Sequence, residues 1–518
     1  MGDVRIRVSR RLRIFNCPQR VRESLQVRTR VPHPDAASAK ARGVAWRGER
    51  FYSPVILDRR DVLLPRGLVW LVQDVLRKTG HTADWISNVV GVKGTDPVPL
   101  GSMGMIPRPY QEDAIRALHE RVQGVVVLPC GGGKTTVGAL AILSLGQSAL
   151  VVVHTTDLVD QWTETLRKCG ASRVRIAGAG REWWDSDPLE PGEICVGTVQ
   201  ALATAPDLVR SAAVIVMDEC HHAPAKAWSD VLAISPARWR WGLTATPERA
   251  DGWSFLLGHS FGPVLYERTA LELIADGHLR APRVIPVRVH WSAPKDCYGL
   301  EVLCPHCGTV TSTSPKKRDK ARCKERDCRR KLAADCESKR GRMIWPAALS
   351  NWSDSGEVQR TIKILSMASA EFDRTALVLI PRKRVAGSLE RMIRRGGVIT
   401  ASITGDSPYR ADILNRVRRG EVQVLVGTQI ADEGLDIALA DVLIHASCGV
   451  AKGLTAQRAG RVCRPEGADI PVIFDLVGDS LGHQWRKRMA AYREAYGAQC
   501  IASRKPLELT EAIALAEL

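Results

Sequence analysis

Gly124-Val125-Val126-Val127-Leu128-Pro129-Cys130-Gly131-Gly132-Gly133-Lys134-Thr135 decides how the rest of this chain is read. The uncharged, valine-rich opening predicts a buried strand. The three glycines predict a loop whose backbone N–H groups can approach phosphates closely, and the helix expected after them adds its positive N-terminal end. Lys134 would reach the β/γ-phosphates, and Thr135 would offer its hydroxyl to Mg²⁺. Pro129, Cys130, Gly131, Gly132, Gly133, Lys134, Thr135 and Thr136 are therefore candidate ATP-binding residues. The first glycine of G-x-x-x-x-G-K-[ST] is replaced by Leu128, so the strict pattern is incomplete and a purely structural loop stays open as the alternative.

Outward from this stretch, apolar runs alternate with helical segments. Ala149 to Val153, Ile194 to Gly197 and Val214 to Met217 predict further buried strands, and the alternation implies a parallel sheet covered on both faces. It returns later, at Ala376 to Ile380, Val422 to Val426, Val442 to His445 and Val472 to Phe474. The expected fold class is α/β: two tandem parallel-sheet domains, a small N-terminal domain and a cysteine-rich insertion. The expected boundaries are 1–105 (accessory, with possible DNA engagement), 106–291, 292–345 (the insertion), 346–480 and a basic helical tail at 481–518. Gly67 to Arg77 predicts a short amphipathic helix, and Gly91 to Pro109 a linker. The uncharged run Val137 to Val153 is broken by Gly146, Gln147 and Ser148, which predicts a buried helix and then a strand, not a membrane span.

The strand Val214 to Met217 ends in Asp218-Glu219. A carboxylate at the C-terminal end of a parallel strand sits at the ligand crevice, which suits Asp218 for holding Mg²⁺ through water and Glu219 for orienting or deprotonating the attacking water. The departing γ-phosphate needs positive charge. Arg461 and Arg464, three apart and expected on one helix face, would supply it from the second domain.

Cys304-Pro305-His306-Cys307 and, fifteen residues later, Cys323-Lys324-Glu325-Arg326-Asp327-Cys328 present four thiolates at a spacing that suits structural Zn²⁺. A segment this poor in large apolar side chains gains its folding energy from a metal. Free thiols are the alternative, and Cys297, Cys336 or His306 could substitute as ligands. Lys316 to Lys331 holds ten Lys/Arg against three Asp/Glu, which suggests a finger touching duplex or forked DNA; a solvated charged face is the plainer reading.

The formal net charge is +18, which favours an anionic polymer as partner. Nine arginines and no apolar core in the first thirty residues argue against a secretory signal, and the scattered cysteines suit a reducing compartment. A soluble cytoplasmic protein is expected.

Taken in order, the Leu128 to Thr135 loop, Asp218-Glu219-Cys220-His221, Gly242-Leu243-Thr244-Ala245-Thr246-Pro247, Val426-Gly427-Thr428-Gln429 through Gly434-Leu435-Asp436, and Gln457-Arg458-Ala459-Gly460-Arg461-Val462-Cys463-Arg464 resemble superfamily 2 helicases and translocases. The resemblance covers about 106–480. Leu128-Pro129-Cys130-Gly131 and Asp218-Glu219-Cys220-His221-His222 look more like the XPB-type DNA-repair translocases and UvsW-type phage helicases than the D-E-A-D RNA helicases. It implies two RecA-like domains, and Gln111 in Pro109-Tyr110-Gln111 as adenine reader with Arg108 nearby. It further implies that Gly434, Asp436 and Gln457 help to close the ATP site. Nucleic acid would lie against Thr155, Thr198 and Gln200 in the first domain and Thr404, Gly405, Thr428 and Gln429 in the second. Small hydroxyls and backbone N–H groups suit phosphates, so binding would be sequence-tolerant and weakened by salt; an ordinary turn or helix cap is the alternative at each threonine.

An ATP-driven DNA helicase or translocase is thus expected. The alternatives are a duplex translocase, remodeller or restriction or phage-defence motor without strand separation, and a nucleic-acid-binding module with a degenerate ATPase site.

Overall fold

The computed structural model describes residues 3–41, 46–87, 97–178, 185–248, 251–307, 309–313, 321–325, 328–332, 336, 338–405, 407, 409–428, 440–447, 452–464 and 470–516. The chain divides into two compact units, Met1–Asp276 and Gly277–Leu518.

The first unit opens with a five-stranded sheet of β1 (Val4–Val8), β2 (Arg11–Phe15), β3 (Ile56–Asp58), β4 (Asp61–Pro65) and β5 (Ala83–Ser87), in the order β3-β4-β2-β1-β5. The arginine-rich start is an antiparallel strand pair. Val4, Ile6, Leu12 and Ile14 alternate with Arg5, Arg7, Arg11 and Arg13, so one face is apolar. Helices α1 (Gln19–Thr29) and α2 (Val69–Thr79) bury that face with Val21, Leu25, Leu71 and Val72. Arg66, in the turn before α2, is 4% exposed and donates to the carbonyls of Ala237 (2.5 Å) and Arg238 (2.7 Å). A Cβ on Gly67 would lie 2.4 Å from the carbonyl oxygens of Gly258 and His259. This stretch is therefore a tight joint onto the sheet that follows. The described part of the expected linker is also packed: Met103 is buried, and the Gly104 N–H donates to Cys169 O at 3.3 Å.

Next come α3 (Pro109–Arg121), β6 (Gln123–Val127), α4 (Lys134–Leu145), β7 (Ala149–Val153), α5 (Thr156–Lys168), β8 (Val174–Ala177), β9 (Ile194–Thr198), α6 (Val199–Ala203), β10 (Val214–Asp218), β11 (Trp239–Thr244) and β12 (Val264–Glu267). The seven strands are all parallel, in the order β8-β9-β7-β10-β11-β6-β12. Helices on both faces explain why β6, β7 and β10 are buried along their whole length and read as unbroken apolar runs.

The second unit begins with β13 (Arg283–Val289), followed by a small antiparallel sheet of β14 (Tyr298–Leu303), β15 (Val310–Thr313) and β16 (Ser338–Met343). Then follow α7 (Trp345–Asp354), α8 (Gly356–Glu371), β17 (Ala376–Leu379), α9 (Lys383–Arg394), β18 (Thr400–Ile403), α10 (Arg410–Arg418), β19 (Val424–Gly427), β20 (Val442–His445), α11 (Lys452–Ala459), β21 (Val472–Gly478), α12 (Gly482–Tyr496) and α13 (Leu509–Ala516). The main sheet is parallel, in the order β13-β21-β20-β17-β19-β18.

Two expectations about boundaries are corrected here. β13 falls inside the 106–291 stretch but pairs with β21 from Arg283↔Val472 to Val289↔Gly478, so the change of sheet precedes it. The segment after 480 is not a separate basic tail. Ala512 and Ala516 lie in the second unit's core, and Arg488 is fully buried. Residues 502–507 run along β13, with Ala502 N–H donating to Val284 O and Leu507 N–H to Pro286 O, both at 2.9 Å.

Candidate functional site

In the first unit the motifs gather at the C-terminal edge of one sheet. The glycine loop follows β6, Thr155 follows β7, Thr198 ends β9, Asp218 ends β10 and Thr244 ends β11. That edge is where open parallel sheets bind ligands.

Gly131 (φ 80°) and Gly133 (φ 74°) take left-handed conformations in the loop. A Cβ on Gly133 would lie 2.3 Å from Gln111 Nε2, so the glutamine rests directly on the turn. Gln111 is itself fixed: its Oε1 accepts the Arg108 N–H at 2.9 Å, closing the first turn of α3. Tyr110 OH donates to Gly132 O at 3.0 Å, and Lys134 Nζ to Leu128 O at 3.4 Å. Pro129 O accepts from the Gly132 N–H at 3.0 Å, while Cys130 stays partly exposed, as do Thr135 and Thr136 on the first turn of α4.

Asp218 and Glu219 are 3% and 7% exposed. Glu219 has φ 47°, a left-handed conformation uncommon for a non-glycine residue and typical of functional turns. One Asp218 oxygen accepts the Glu219 N–H at 2.9 Å; the other accepts the Trp162 indole N–H at 2.8 Å. Burial raises the Asp218 carboxyl, the neighbouring Glu219 charge raises it further, and Lys134 and the Trp162 N–H oppose both. Two adjacent buried carboxylates beside the glycine loop and Lys134 are a setting that a divalent cation stabilises, so the donor set fits Mg²⁺. His221 Nδ1 lies 3.4 Å from Glu219 Oε2 and 3.2 Å from Thr244 Oγ1. Its ring packs on His222 (4.3 Å between centroids), which packs on His154 (5.3 Å).

Thr155 and Thr198 are N-caps: their hydroxyls accept from Leu158 N–H and Ala201 N–H, both at 3.4 Å. Gln200 is exposed on α6. In the second unit Thr404 follows β18, with its N–H donating to Ser407 Oγ at 2.9 Å; Gly405 is exposed; Thr428 follows β19 and is buried. Gln429, Gly434 and Asp436 lie outside the described residues.

Gln457 sits in the last turn of α11, 5% exposed. Arg461 and Arg464 are not on a helix face, as their spacing suggested. α11 ends at Ala459, Gly460 follows, and both arginines lie beyond the helix, Arg461 in a turn and 6% exposed.

Sequence reasoning missed the cluster behind them. Arg458, also on α11, has Nη1 3.1 Å from His445 Nε2 and donates to Ser447 Oγ. An arginine only donates, so Nε2 accepts and Nδ1 carries the proton. His445 Nδ1 lies 2.9 Å from Tyr492 OH, which donates to Asp475 Oδ2 at 3.1 Å. Arg488 Nε and Nη2 donate to the same carboxylate at 2.9 and 2.7 Å. Burial alone would raise Asp475, but Arg488 and His445 hold it down at about 2. The available signal was a lone aspartate inside the apolar strand β21, since a buried carboxylate requires a partner. Trp162 carried a similar signal, because a buried indole N–H needs an acceptor.

In the insertion, the Sγ atoms of Cys304, Cys307, Cys323 and Cys328 all lie within 4.8 Å of one another. Cys307–Cys323 is 3.4 Å and Cys304–Cys328 is 3.7 Å. Four thiolates bound to zinc at about 2.3 Å stand roughly 3.8 Å apart in a tetrahedron, so the sulfurs fit that ion. Thr309 hydrogen bonds pull Cys307 down to about 6. At Cys323 a Glu325 backbone N–H favours the thiolate, yet burial and the neighbouring sulfurs push the thiol up to about 12. So many thiolates cannot coexist without a cation. Cys297 and Cys336 are outside this set, and Lys316, Lys317 and Arg318 lie outside the described residues. Among the described residues, no helix is long and apolar enough to cross a membrane.

Residues 104–249 match the family model described as "Type III restriction enzyme, res subunit", and residues 357–466 match "Helicase conserved C-terminal domain". The chain is 28% identical over 471 residues to the DNA 3′-5′ translocase XPB2 of Sulfurisphaera tokodaii, covering 87% of this chain and 97% of that protein. It is 26% identical over 402 residues to the DNA 3′-5′ helicase XPB of Kineococcus radiotolerans, covering 76% of this chain and 64% of that protein. Saccharomyces cerevisiae Dbp5 bound to RNA and ADP BeF3 shares the fold, with a TM-score of 0.53 at 13% identity over 79% of this chain and 93% of that one. With both halves of the motif set on two RecA-like sheets and a four-cysteine insertion after the first strand of the second, the chain is a superfamily 2 helicase or translocase that is similar to XPB proteins.

Proposed function

We propose that this protein is an ATP-dependent DNA helicase or translocase. The observation that carries the proposal is the convergence of Gln111, Gly133, Lys134, Asp218 and Glu219 at one sheet edge, with the proposed strand-contacting residues Thr155 and Thr198 at the same edge two and three strands from β6's neighbour β11. Family membership implies ATP and Mg²⁺, and Mg²⁺ would supply charge neutralisation at the phosphates. Gln111 reads the adenine with Arg108 nearby, the 129–136 loop cradles the phosphates, and Lys134 meets the β/γ oxygens. Thr135 and Asp218 hold the metal, Glu219 orients the attacking water, and Gln457, Arg461 and Arg464 carry the charge that the leaving phosphoryl group requires.

The nucleic-acid role of Thr155, Thr198, Gln200, Thr404, Gly405, Thr428 and Gln429 belongs to the same proposal, as do forked or branched DNA as substrate and a cytoplasmic location. The cysteine tetrad would hold structural zinc. The division into an N-terminal accessory domain, two motor domains and an insertion is proposed with the sheet boundaries given above. The relatives' names include both helicase and translocase, which favours keeping duplex translocation without strand separation as the second reading.

Steady-state ATP hydrolysis with no nucleic acid, single-stranded, duplex and forked DNA, and RNA tests this. Stimulation by single-stranded or forked DNA supports a helicase, and stimulation by duplex alone supports the translocase. RNA as the sole stimulant, or no hydrolysis at all, overturns the proposal.

A further inference from the structure

We infer that Trp162 is a positioning residue that ties the carboxylate of Asp218 to helix α5, and through it to the strand-proximal end of that helix at Thr155. The inference deepens the ATP-site reading and rests on it. The Asp218 carboxylate is held at both oxygens, one by the Glu219 N–H of its own turn and the other by the Trp162 indole at 2.8 Å. The first bond is local and moves with β10. The second comes from a residue 56 positions earlier in the chain, on another element.

The ring has little freedom. Trp162 is 0% exposed, and a Cβ on Gly138 of α4 would lie 2.5 Å from its Cη2 atom. That same hypothetical Cβ would lie 2.9 Å from Leu243 Cδ1 of β11. Trp162 thus joins the phosphate-loop helix to the Asp218 carboxylate, with Leu243 of β11 packed against the same glycine. Thr155, the N-cap of α5, lies seven residues earlier, roughly 10 Å along a helix of 1.5 Å rise. A rigid helix carries a displacement at its N-terminus to the indole, and the hydrogen bond carries it to the carboxylate. A carboxylate that orients metal-bound water tolerates little displacement.

Trp162→Phe keeps the ring and removes the N–H. Binding of a fluorescent ATP analogue to the full chain is measured by anisotropy in Mg²⁺ and in EDTA. The expected result is affinity in EDTA within about twofold of wild type, with the strengthening given by Mg²⁺ reduced about tenfold, the scale of one charge-assisted hydrogen bond. ATP hydrolysis should half-saturate at higher Mg²⁺ and recover as Mg²⁺ is raised. An unchanged Mg²⁺ strengthening overturns the inference, as does an equal loss in Mg²⁺ and in EDTA, which marks a packing role alone. If the phenylalanine variant does not fold, Gly138→Ala, which pushes on the indole without removing it, must give the same split between the two conditions. Wild-type protein without Mg²⁺-dependent nucleotide binding would overturn the ATP-site reading itself; normal wild-type binding beside an unaltered variant overturns only the role of Trp162.

Discussion

Replacing Arg488 by methionine should destabilise the second unit far more than an ordinary arginine substitution. Arg488 and Asp475 are both fully buried, and three contacts between them measure 2.7 to 3.1 Å. Taking the guanidinium away leaves the carboxylate in the core with Tyr492 and His445 as its remaining partners. Breaking one side of such a pair costs about 3–5 kcal/mol, whereas replacing both sides with apolar residues of similar volume is often neutral or better. For a unit of this size 1 kcal/mol corresponds to about 2–4 °C, so Arg488→Met should lower its melting transition by roughly 6–20 °C.

The acid limb gives an independent estimate. Asp475 is held at about 2, below its ordinary value, so its contribution is fully present above pH 4 and is lost as pH falls towards 2. A shift of about two units is worth roughly 2–3 kcal/mol, the same order as the mutational figure. Calorimetry of wild type, Arg488→Met, Asp475→Leu and the double variant completes the cycle. Both single variants should fall and the double should recover most of the loss. A single variant that loses less than about 1 kcal/mol, or a double no better than the sum of the singles, refutes the reasoning.

Glu219→Gln should lower ATP turnover by about 10²–10⁴-fold, with nucleotide binding retained, in a coupled hydrolysis assay and a binding titration run side by side. Gly133→Ala combines a φ of 74° with a Cβ 2.3 Å from Gln111 Nε2, so nucleotide affinity should fall even though no phosphate-binding side chain is lost. Metal analysis of purified protein should find about one zinc per chain, and Cys304→Ser together with Cys323→Ser should abolish it and unfold the insertion while the main sheets keep their far-UV signal. Neutralising Lys316, Lys317, Arg318 and Arg329 should shallow the dependence of DNA affinity on salt, and an unchanged slope would show that this charge faces solvent only.

What the sequence made legible was what local chemistry controls. The glycine loop reads correctly because a strand, a turn and a helix are encoded within twenty residues, and the buried valines of β6 and β7 leave little choice of class. Asp218 could be placed because a strand end is itself a structural address. The cysteine tetrad followed from spacing. The misses are non-local. β13 falls inside the stretch expected as the first domain because nothing within it names its partner, which lies almost two hundred residues on. Arg488 falls in the expected basic tail because arginine is seldom buried, and only the lone Asp475 in an apolar strand hints otherwise. Arg461 and Arg464 are spaced like a helix face, but Gly460 ends the helix before them. Arg66 falls in the region expected to engage DNA, and its donors serve backbone carbonyls of the neighbouring sheet.

The pairing of residues 502–507 with β13 has a practical consequence. β13 is the outermost strand of its sheet, with Pro286 in its middle, and Arg288 N–H donates to Leu507 O at 2.8 Å. Residues 502–507 therefore act as a selvedge, finishing a woven border that would otherwise fray into its neighbours. A shortened protein cut back to the end of α12 would keep every motif of the motor and still lose that finish. Its exposed border would invite pairing between copies, so a trimmed version is expected to aggregate on expression while its sequence motifs look complete.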